Sequence, residues 1–366
     1  MTPDPGLASW LQLSLTPGLG ASTVRNLLKQ FGLPEAVLAR PRGELVSLMG
    51  SATLEALHSA RVRQAVERTL EWASVDAHSV VTLADETYPR ALLEIADPPP
   101  LLYAHGRVQL LRQPALAIVG SRNASAQGER NAEEFARSLS ASGLTIVSGL
   151  ALGIDAAAHR GGLAGGASTV AVLGTGIDIV YPTRNAELAA EIARDGVLLS
   201  EFPLGTPAIA HNFPRRNRLI SGLARGCLVV EAALASGSLI TARCAADQGR
   251  EVFAIPGSIH SPLSKGCHAL IKSGAKLVES AEDVLAELGG FRPSGYANAA
   301  AASAPQTDNA LLAVMGHDPV DVDSLCARAG WSAEQVASEL LRLELDGRVT
   351  ALPGGLYQRL EKAQRG

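Results

Sequence analysis

Cysteine is scarce in this chain of 366 residues, and Cys227, Cys244, Cys267 and Cys326 include no CxxC pair. That excludes the closely spaced thiolates of a structural zinc site and offers no disulfide framework, so the four read as small buried hydrophobes and no metal is expected. Long apolar runs are missing as well: none approaches the ~18 to 20 residues that cross a bilayer. The opening MTPDPGLASW has neither the basic start nor the apolar stretch of a signal peptide, so a cytoplasmic protein without a membrane partner is expected. Nor is there a surplus of positive charge. With 32 Lys and Arg against 36 Asp and Glu the formal net charge is -4, so any nucleic-acid site has to be a local basic patch set against an acidic remainder. The G-x-S-x-G nucleophile elbow, HExxH and the Walker P-loop are all absent.

What the chain does have is apolar substance. At 47% hydrophobic and 19% charged residues, with a mean hydropathy of +0.15, it can bury a sizeable core, and its length allows two or three folded units of about 100 to 200 residues. Residues 9–70 carry helical periodicity and mark a helical unit of residues 1–74. In LSLTPGLGASTVRNLLKQFG, Pro17-Gly18-Leu19-Gly20 makes a glycine hairpin between two apolar-faced helices, and ELVSLMGSATLEAL repeats the plan in degenerate form around Gly50. The pair resembles helix-hairpin-helix (SAM-like) units, whose backbone N–H groups face a phosphate without reading sequence; a plain packing module fits equally well.

Residues 75–112 form a proline-rich connector with strand-like runs on either side of Pro98-Pro99-Pro100. Then LAIVG, LTIVSGL, STVAVLGTG, GVLLSEFP, CLVVEA and EVFAIPG alternate with helical stretches such as ERNAEEFARSLSAS, DAAAHRGGLA and NAELAAEIARD. Continuous apolar strands alternating with helices indicate an α/β domain with a Rossmann-like, mostly parallel sheet and helices on both faces, over residues 113–288. Connector and sheet together make a unit of residues 75–288. Residues 289–309, GGFRPSGYANAAAASAPQTDN, read as a flexible linker. Residues 310–366 follow in winged-helix order: two helices, a longer helix SAEQVASELLRLELDG, and two strands in RVTALPGGLYQRL.

Phosphate chemistry concentrates at the strand ends of the α/β domain. In AIVGSRNASAQG the strand breaks at Gly120 much as a dinucleotide loop does, but Arg122 stands where the second glycine of G-x-G-x-x-G belongs. Ser148 and Gly149 end the next strand, and Ser236, Gly237 and Ser238 precede the helix LITARCAADQG. Small residues at helix starts let an anion approach the backbone, and Arg122 adds a fixed charge and a planar fork. HNFPRRNRLISG packs Phe213, Arg215, Arg216, Asn217 and Arg218 beside Pro214. Arginines interleaved with an aromatic suit a single-stranded nucleic acid, guanidinium for phosphate and ring for base. Lys265 and His268 in SPLSKGCHALIKSGA extend such a surface. Asp155 and His159, four apart in GIDAAAHRGG, share a helix face; a cap and a structural hydrogen bond fit them better than an acid-base pair.

The ordered set SGLALGIDAAAHRGGL, LGTGIDIVYPTRN, LLSEFP, FPRRNRLISGL, VVEAALASGSLITARCAADQGREVFAIPG and GCHALIKSGA resembles the DprA (Smf) DNA-processing family, as does YPRALLEIADPPPLLYAHG before it. The resemblance covers the connector and the whole α/β domain. It implies a non-enzymatic protein without a cofactor that binds and protects incoming single-stranded DNA in natural transformation, loads the RecA recombinase onto it and dimerises through the α/β domain. By the same resemblance the DNA-binding residues are Gly120, Ser121, Arg122, Phe213, Pro214, Arg216, Asn217, Arg218, Ser236, Gly237, Ser238, Lys265, Gly266 and Cys267. Two positions depart from the family pattern. His268 puts a titratable ring where asparagine is more usual, and Leu152 stands where many relatives place a basic or aromatic residue.

A different class of function also fits the fold: a nucleotide hydrolase like the cytokinin-activating phosphoribohydrolases, which work at the same strand ends. Those enzymes carry a PGGxGT turn, however, and this chain has ASGSLIT. The third helix of the winged-helix segment carries Glu334, Glu339 and Glu344 against Arg342 alone. That is a poor surface for a phosphate backbone, and it predicts a contact with protein, or only weak DNA binding.

Overall fold

The computed structural model describes residues 5–289, 309–316 and 318–360. Almost all of the expected linker therefore lies outside the described residues. At the N-terminus six helices run Pro5–Ser14, Ala21–Phe31, Pro34–Leu38, Arg42–Met49, Ser51–Leu57 and Ala60–Ala73. Both glycine hairpins fall between helices as expected, with Gly18 and Gly50 at φ +84° and +83°, a region that glycine enters without steric cost. The hairpins also meet: a Cβ on Gly18 would lie 3.2 Å from the hydroxyl of Thr53.

The central sheet has nine strands: β1 His78–Thr82, β2 Leu101–Gly106, β3 Ala115–Val119, β4 Thr145–Ser148, β5 Thr169–Val172, β6 Val197–Ser200, β7 Gly226–Val229, β8 Glu251–Ala254 and β9 Lys276–Leu277. Their spatial order is β1-β2-β6-β5-β4-β3-β7-β8-β9. Strands β3 to β9 pair in parallel, while β1 and β2 form an antiparallel edge, with Tyr103 of β2 opposite Ser200 of β6. The chain thus winds outward from β3 through β4 and β5 to β6, then returns to lay β7 on the other side of β3. This reversal opens a crevice at the strand ends.

Both faces of the sheet are covered, and β3 shows how. Alternate side chains of a strand point to opposite faces, so Ala115, Ala117 and Val119 pack with Leu219, Ile220 and Leu239 of two helices, Asn212–Leu223 and Ser238–Asp247. Leu116 and Ile118 pack with Ala132, Ala136, Ile154 and Ala157 from Ala126–Ala141 and Ile154–Gly165. A third cluster joins the N-terminal helices to the sheet: Leu11, Val66, Leu70 and Trp72 pack on Leu101, Tyr103 and Ile177. The helical unit therefore shares a core with the sheet.

Residues 309–360 fold around a core of their own, including Leu312, Leu325, Val336, Leu340 and Leu343. Helices Ala310–Met315, Val322–Ala329 and Ala333–Leu345 precede the strands β11 (Val349–Leu352) and β12 (Leu356–Arg359), and a short strand β10 (Val320–Asp321), absent from the sequence expectation, pairs with β12. A capping box between Ser332 and Gln335 starts the third helix. Its Arg342 is bound to Glu339 at 2.6 Å, so the cation of that face is already neutralised.

Of the cysteines, Cys227 and Cys267 are buried as expected, and Cys244 and Cys326 are only partly so. Among the described residues no helix is long and apolar enough to cross a membrane.

Candidate nucleic-acid interface

Where the winding reverses, an open cleft of about 680 Å³ lies over the C-terminal ends of β3, β4 and β7, with Gly120, Arg122, Phe213 and Ser236 among its lining residues. The turn after β3 is held from below. The Ser121 N–H donates to the carbonyl of Glu231, and the carboxylate of Glu231 accepts the N–H and hydroxyl of Ser125 at 2.9 and 2.6 Å. Burial raises the Glu231 carboxyl above its usual range, against the pull of the Ser125 bonds. Gly120 is required for internal packing: a Cβ there would lie 2.6 Å from Ile154 and 2.9 Å from the Glu231 carbonyl. Arg122 projects from this turn, exposed.

The helix Asn212–Leu223 forms the opposite wall, and its buried stripe is Asn212, Arg216, Leu219, Ile220 and Leu223. Arg216 therefore points inward. It is 4% exposed, and its Nη1 donates to the carbonyls of Gly149, at 2.7 Å, and Val172. Burial lowers its pKa to about 10, with Asp155 opposing and Arg122 adding to the shift; it stays a cation near neutral pH. Its buried Nε has no partner among the described residues. Gly149 makes the room, since a Cβ there would lie 2.4 Å from Nη1.

One residue along, Phe213 turns into the cleft. Its ring rests on Gly174, where a Cβ would lie 2.7 Å away. Arg122 stands 5.8 Å and Arg216 6.0 Å from the ring centroid, both within cation–π range. Tyr181 extends the ring surface 5.5 Å further, with 47% of its own surface exposed. The remaining wall is the Ser236-Gly237-Ser238 turn, where the two hydroxyls bond each other at 2.7 Å and the carbonyl of Gly237 receives the amide of Asn217.

The fold thus brings Gly120, Ser121, Arg122, Phe213, Arg216, Asn217, Ser236, Gly237 and Ser238 to one cleft. Other expected residues face elsewhere. Ser148 is fully buried and donates to the Ile118 carbonyl. Arg218 is held by Glu201 at 2.5 Å and Asp97 at 3.4 Å, and the half-exposed Arg215 reaches the same Glu201 at 3.3 Å. Asp97 also binds Arg25 at 2.6 Å, which ties the helical unit to this network. Lys265 donates to the Ile259 carbonyl, and His268 Nε2 lies 3.0 Å from the Gly257 carbonyl. Gly266 donates to Ala232, and Cys267 packs under Val229 and Val230. None of these last four lines the cleft.

Asp155 and His159 are structural, though not quite as the sequence expects. Asp155 lies within the first turn of its helix and accepts the N–H groups of Gly149 and Ala151, while Gly153 occupies the cap position. Burial raises its carboxyl, with Arg216 opposing. His159 is buried; Nε2 accepts the Leu150 N–H, and Nδ1 bonds the Thr169 hydroxyl at 2.7 Å. Thr169 gives its own proton to the Ile146 carbonyl, so Nδ1 is the protonated nitrogen. Tyr181 was missed in the sequence. Its signal was an aromatic beside a proline in VYPTRN, but only the fold lays it against Phe213.

Comparison with known proteins places the chain in a family. The family model described as DNA recombination-mediator protein A covers residues 79–289, and the DprA winged helix domain covers residues 296–355. Protein Smf of Escherichia coli is 46% identical over 310 residues, 82% of each chain. DNA processing protein DprA of Streptococcus pneumoniae is 50% identical over 206 residues, 56% of this chain and 73% of its own. The X-ray structure of the Streptococcus pneumoniae protein superposes with a TM-score of 0.67 at 40% identity, over 80% of this chain and 99% of that one. A structure of DNA processing protein A from Helicobacter pylori, described by its single-stranded DNA binding mode, superposes with a TM-score of 0.53 at 32% identity, over 57% of this chain and 95% of that one. The chain belongs to the DprA (Smf) DNA-processing family, the recombination mediators.

Proposed function

We propose that the cleft binds single-stranded DNA, a base lying on the Tyr181–Phe213 surface while Arg122 and the Ser236-Gly237-Ser238 turn take the phosphates. The observation that carries this reading is the placement of an exposed arginine 5.8 Å from a ring that is itself extended by an exposed tyrosine. Such a platform is sequence-tolerant, because every base has a π face. Arg216 acts from beneath, fixing the Phe213 wall and adding buried positive charge. The Helicobacter pylori relative, described as binding single-stranded DNA, supports the same use. Binding without hydrolysis is favoured because the carboxyl of Asp155 and both ring nitrogens of His159 are engaged in hydrogen bonds.

Family membership supports the wider role we assign: the protein protects the strand during recombination, passes it to RecA and works as a homodimer. The winged-helix unit, whose Arg342 is bound to Glu339, meets protein and contributes little to DNA affinity; truncation after Gly289 leaves single-strand affinity within about twofold. Arg122→Ala, measured by fluorescence anisotropy, should weaken binding and lower the salt slope by about 0.7, because one phosphate fewer is neutralised. Unchanged affinity and slope would overturn the reading. RecA capture on DNA-coated beads, with wild type and Arg122→Ala compared, tests the loading role.

A further inference from the structure

A second groove, of about 340 Å³, runs between the helix Ala60–Ala73 and residues 203–207 of the loop after β6; Arg61, Ala65 and Arg68 line its helical side. The groove is a fixed part of the molecule, because Val66, Leu70 and Trp72 of this helix belong to the core shared with the sheet. Arg61 and Arg68 are seven residues apart, so they stand two turns and about 10 Å apart on one helix face. Both are exposed, and among the described residues neither forms an ion pair, unlike Arg25, Arg215 and Arg218. Of the acids beside the loop, Asp178 is occupied in accepting the Gly205 N–H at 2.9 and 3.0 Å, and Glu201 is paired with Arg215 and Arg218.

One loop borders both the groove and the cleft. Its residues 203–207 line the groove and its Ala208 and Ala210 line the cleft, so a strand leaving the Phe213 platform crosses one loop to reach Arg61 and Arg68. The Thr206 hydroxyl donates to the Pro203 carbonyl at 2.6 Å, and the N–H groups of Gly205 and Thr206 are taken by Asp178 and Pro203, which leaves the two guanidinium groups as the recognition chemistry. We propose that this groove is a second phosphate-binding track, in which Arg61 and Arg68 hold the backbone of the same single strand beyond the cleft without contacting bases. The proposal rests on the single-strand reading of the cleft and gives the N-terminal helical unit a DNA contact made by a helix face.

The test uses the full chain and two oligothymidylates, one of about six nucleotides to fill the cleft and one of about twenty-five to reach the groove. Arg61→Ala/Arg68→Ala should weaken the long probe about tenfold and lower its salt slope by about 1.4, two phosphates at ~0.7 each, and leave the short probe unchanged. Arg61→Lys/Arg68→Lys should retain most of the long-probe affinity, since a phosphate contact needs charge more than a fork. An unchanged long probe, or equal weakening of both, overturns the proposal. Failure of the underlying reading looks different: Arg122→Ala would then leave both probes as tight as wild type.

Discussion

Gly149 and Arg216 fit together as socket and plug: the guanidinium Nη1 occupies the space where a Cβ on residue 149 would lie, only 2.4 Å away. Gly149→Ala must therefore displace either the arginine or the strand end. Overpacking of this kind costs about 1 to 3 kcal/mol. We expect a lower midpoint in urea unfolding and weaker single-strand binding, because Phe213 sits on the same helix turn as Arg216. Wild-type values for both would mean that the cleft floor is soft.

Stacking and charge should separate in the salt dependence. Phe213→Ala and Tyr181→Ala each remove a ring and no charge, so each should weaken binding by about 1 to 3 kcal/mol without changing the slope of log K against log salt. A changed slope in either variant would show that the ring positions a cation and does not carry a base.

Arg215 and Arg218 look alike in the sequence but should behave differently. Arg218, with 15% of its side chain exposed, is held against the 2% exposed Glu201, whereas half of the Arg215 side chain is in water. Removing one partner of a buried pair costs about 3 to 5 kcal/mol. Arg218→Ala should therefore lower stability by about 3 kcal/mol, and Arg215→Ala by less than about 1 kcal/mol, as for a surface pair. Chemical denaturation of the two variants decides it.

His159 links stability to pH. Burial, with Arg216 and Arg160 adding, pushes its pKa down to about 3, while in the unfolded chain it titrates near 6.5. Between these values unfolding takes up a proton, so the contribution of His159 is complete above pH 6.5 and is lost as pH falls toward 3, by at most about 1.4 kcal/mol per pH unit. Asp155 and Glu231, raised by burial, act in the opposite sense, so the comparison with a variant is what isolates the histidine. Unfolding of wild type should show a steeper loss between pH 6 and 4 than His159→Gln, and equal slopes would sink the assignment.

The strands after residue 113 were legible because buried parallel strands are continuous apolar runs, and the hairpins because glycine punctuates helices. The antiparallel edge of β1 and β2 was not, since a short apolar run carries no direction. Within the site, composition showed that charge gathers at residues 215–218 but not where each side chain points. Successive helical positions diverge by about 100°, which sends Arg216 into the core and leaves Arg215 and Arg218 on another face, where both reach Glu201 and Arg215 stays half in water. The stripe Asn212, Arg216, Leu219, Ile220 and Leu223 was open to inspection, and it would have put Arg216 inside. Tyr181 and Gly174 owe their place to the crossing of β5 beside the helix, a long-range fact that local sequence does not contain. The same holds for Lys265 and His268, whose helix Lys265–Lys272 lies against the carbonyls of Ile259 and Gly257.

The return of the chain to β7 sets a schedule for biosynthesis. The cleft takes its walls from the turn at residues 120–123, from Ala151 and Asp155, from Tyr181, from residues 208–217 and from residues 233–241. Domains form as units while the chain emerges N-terminus first, so a ribosome must have delivered about two-thirds of the polypeptide before all of these walls exist. A nascent chain arrested after β6 has the arginine of the first turn and no Phe213 beside it, and it should ignore DNA.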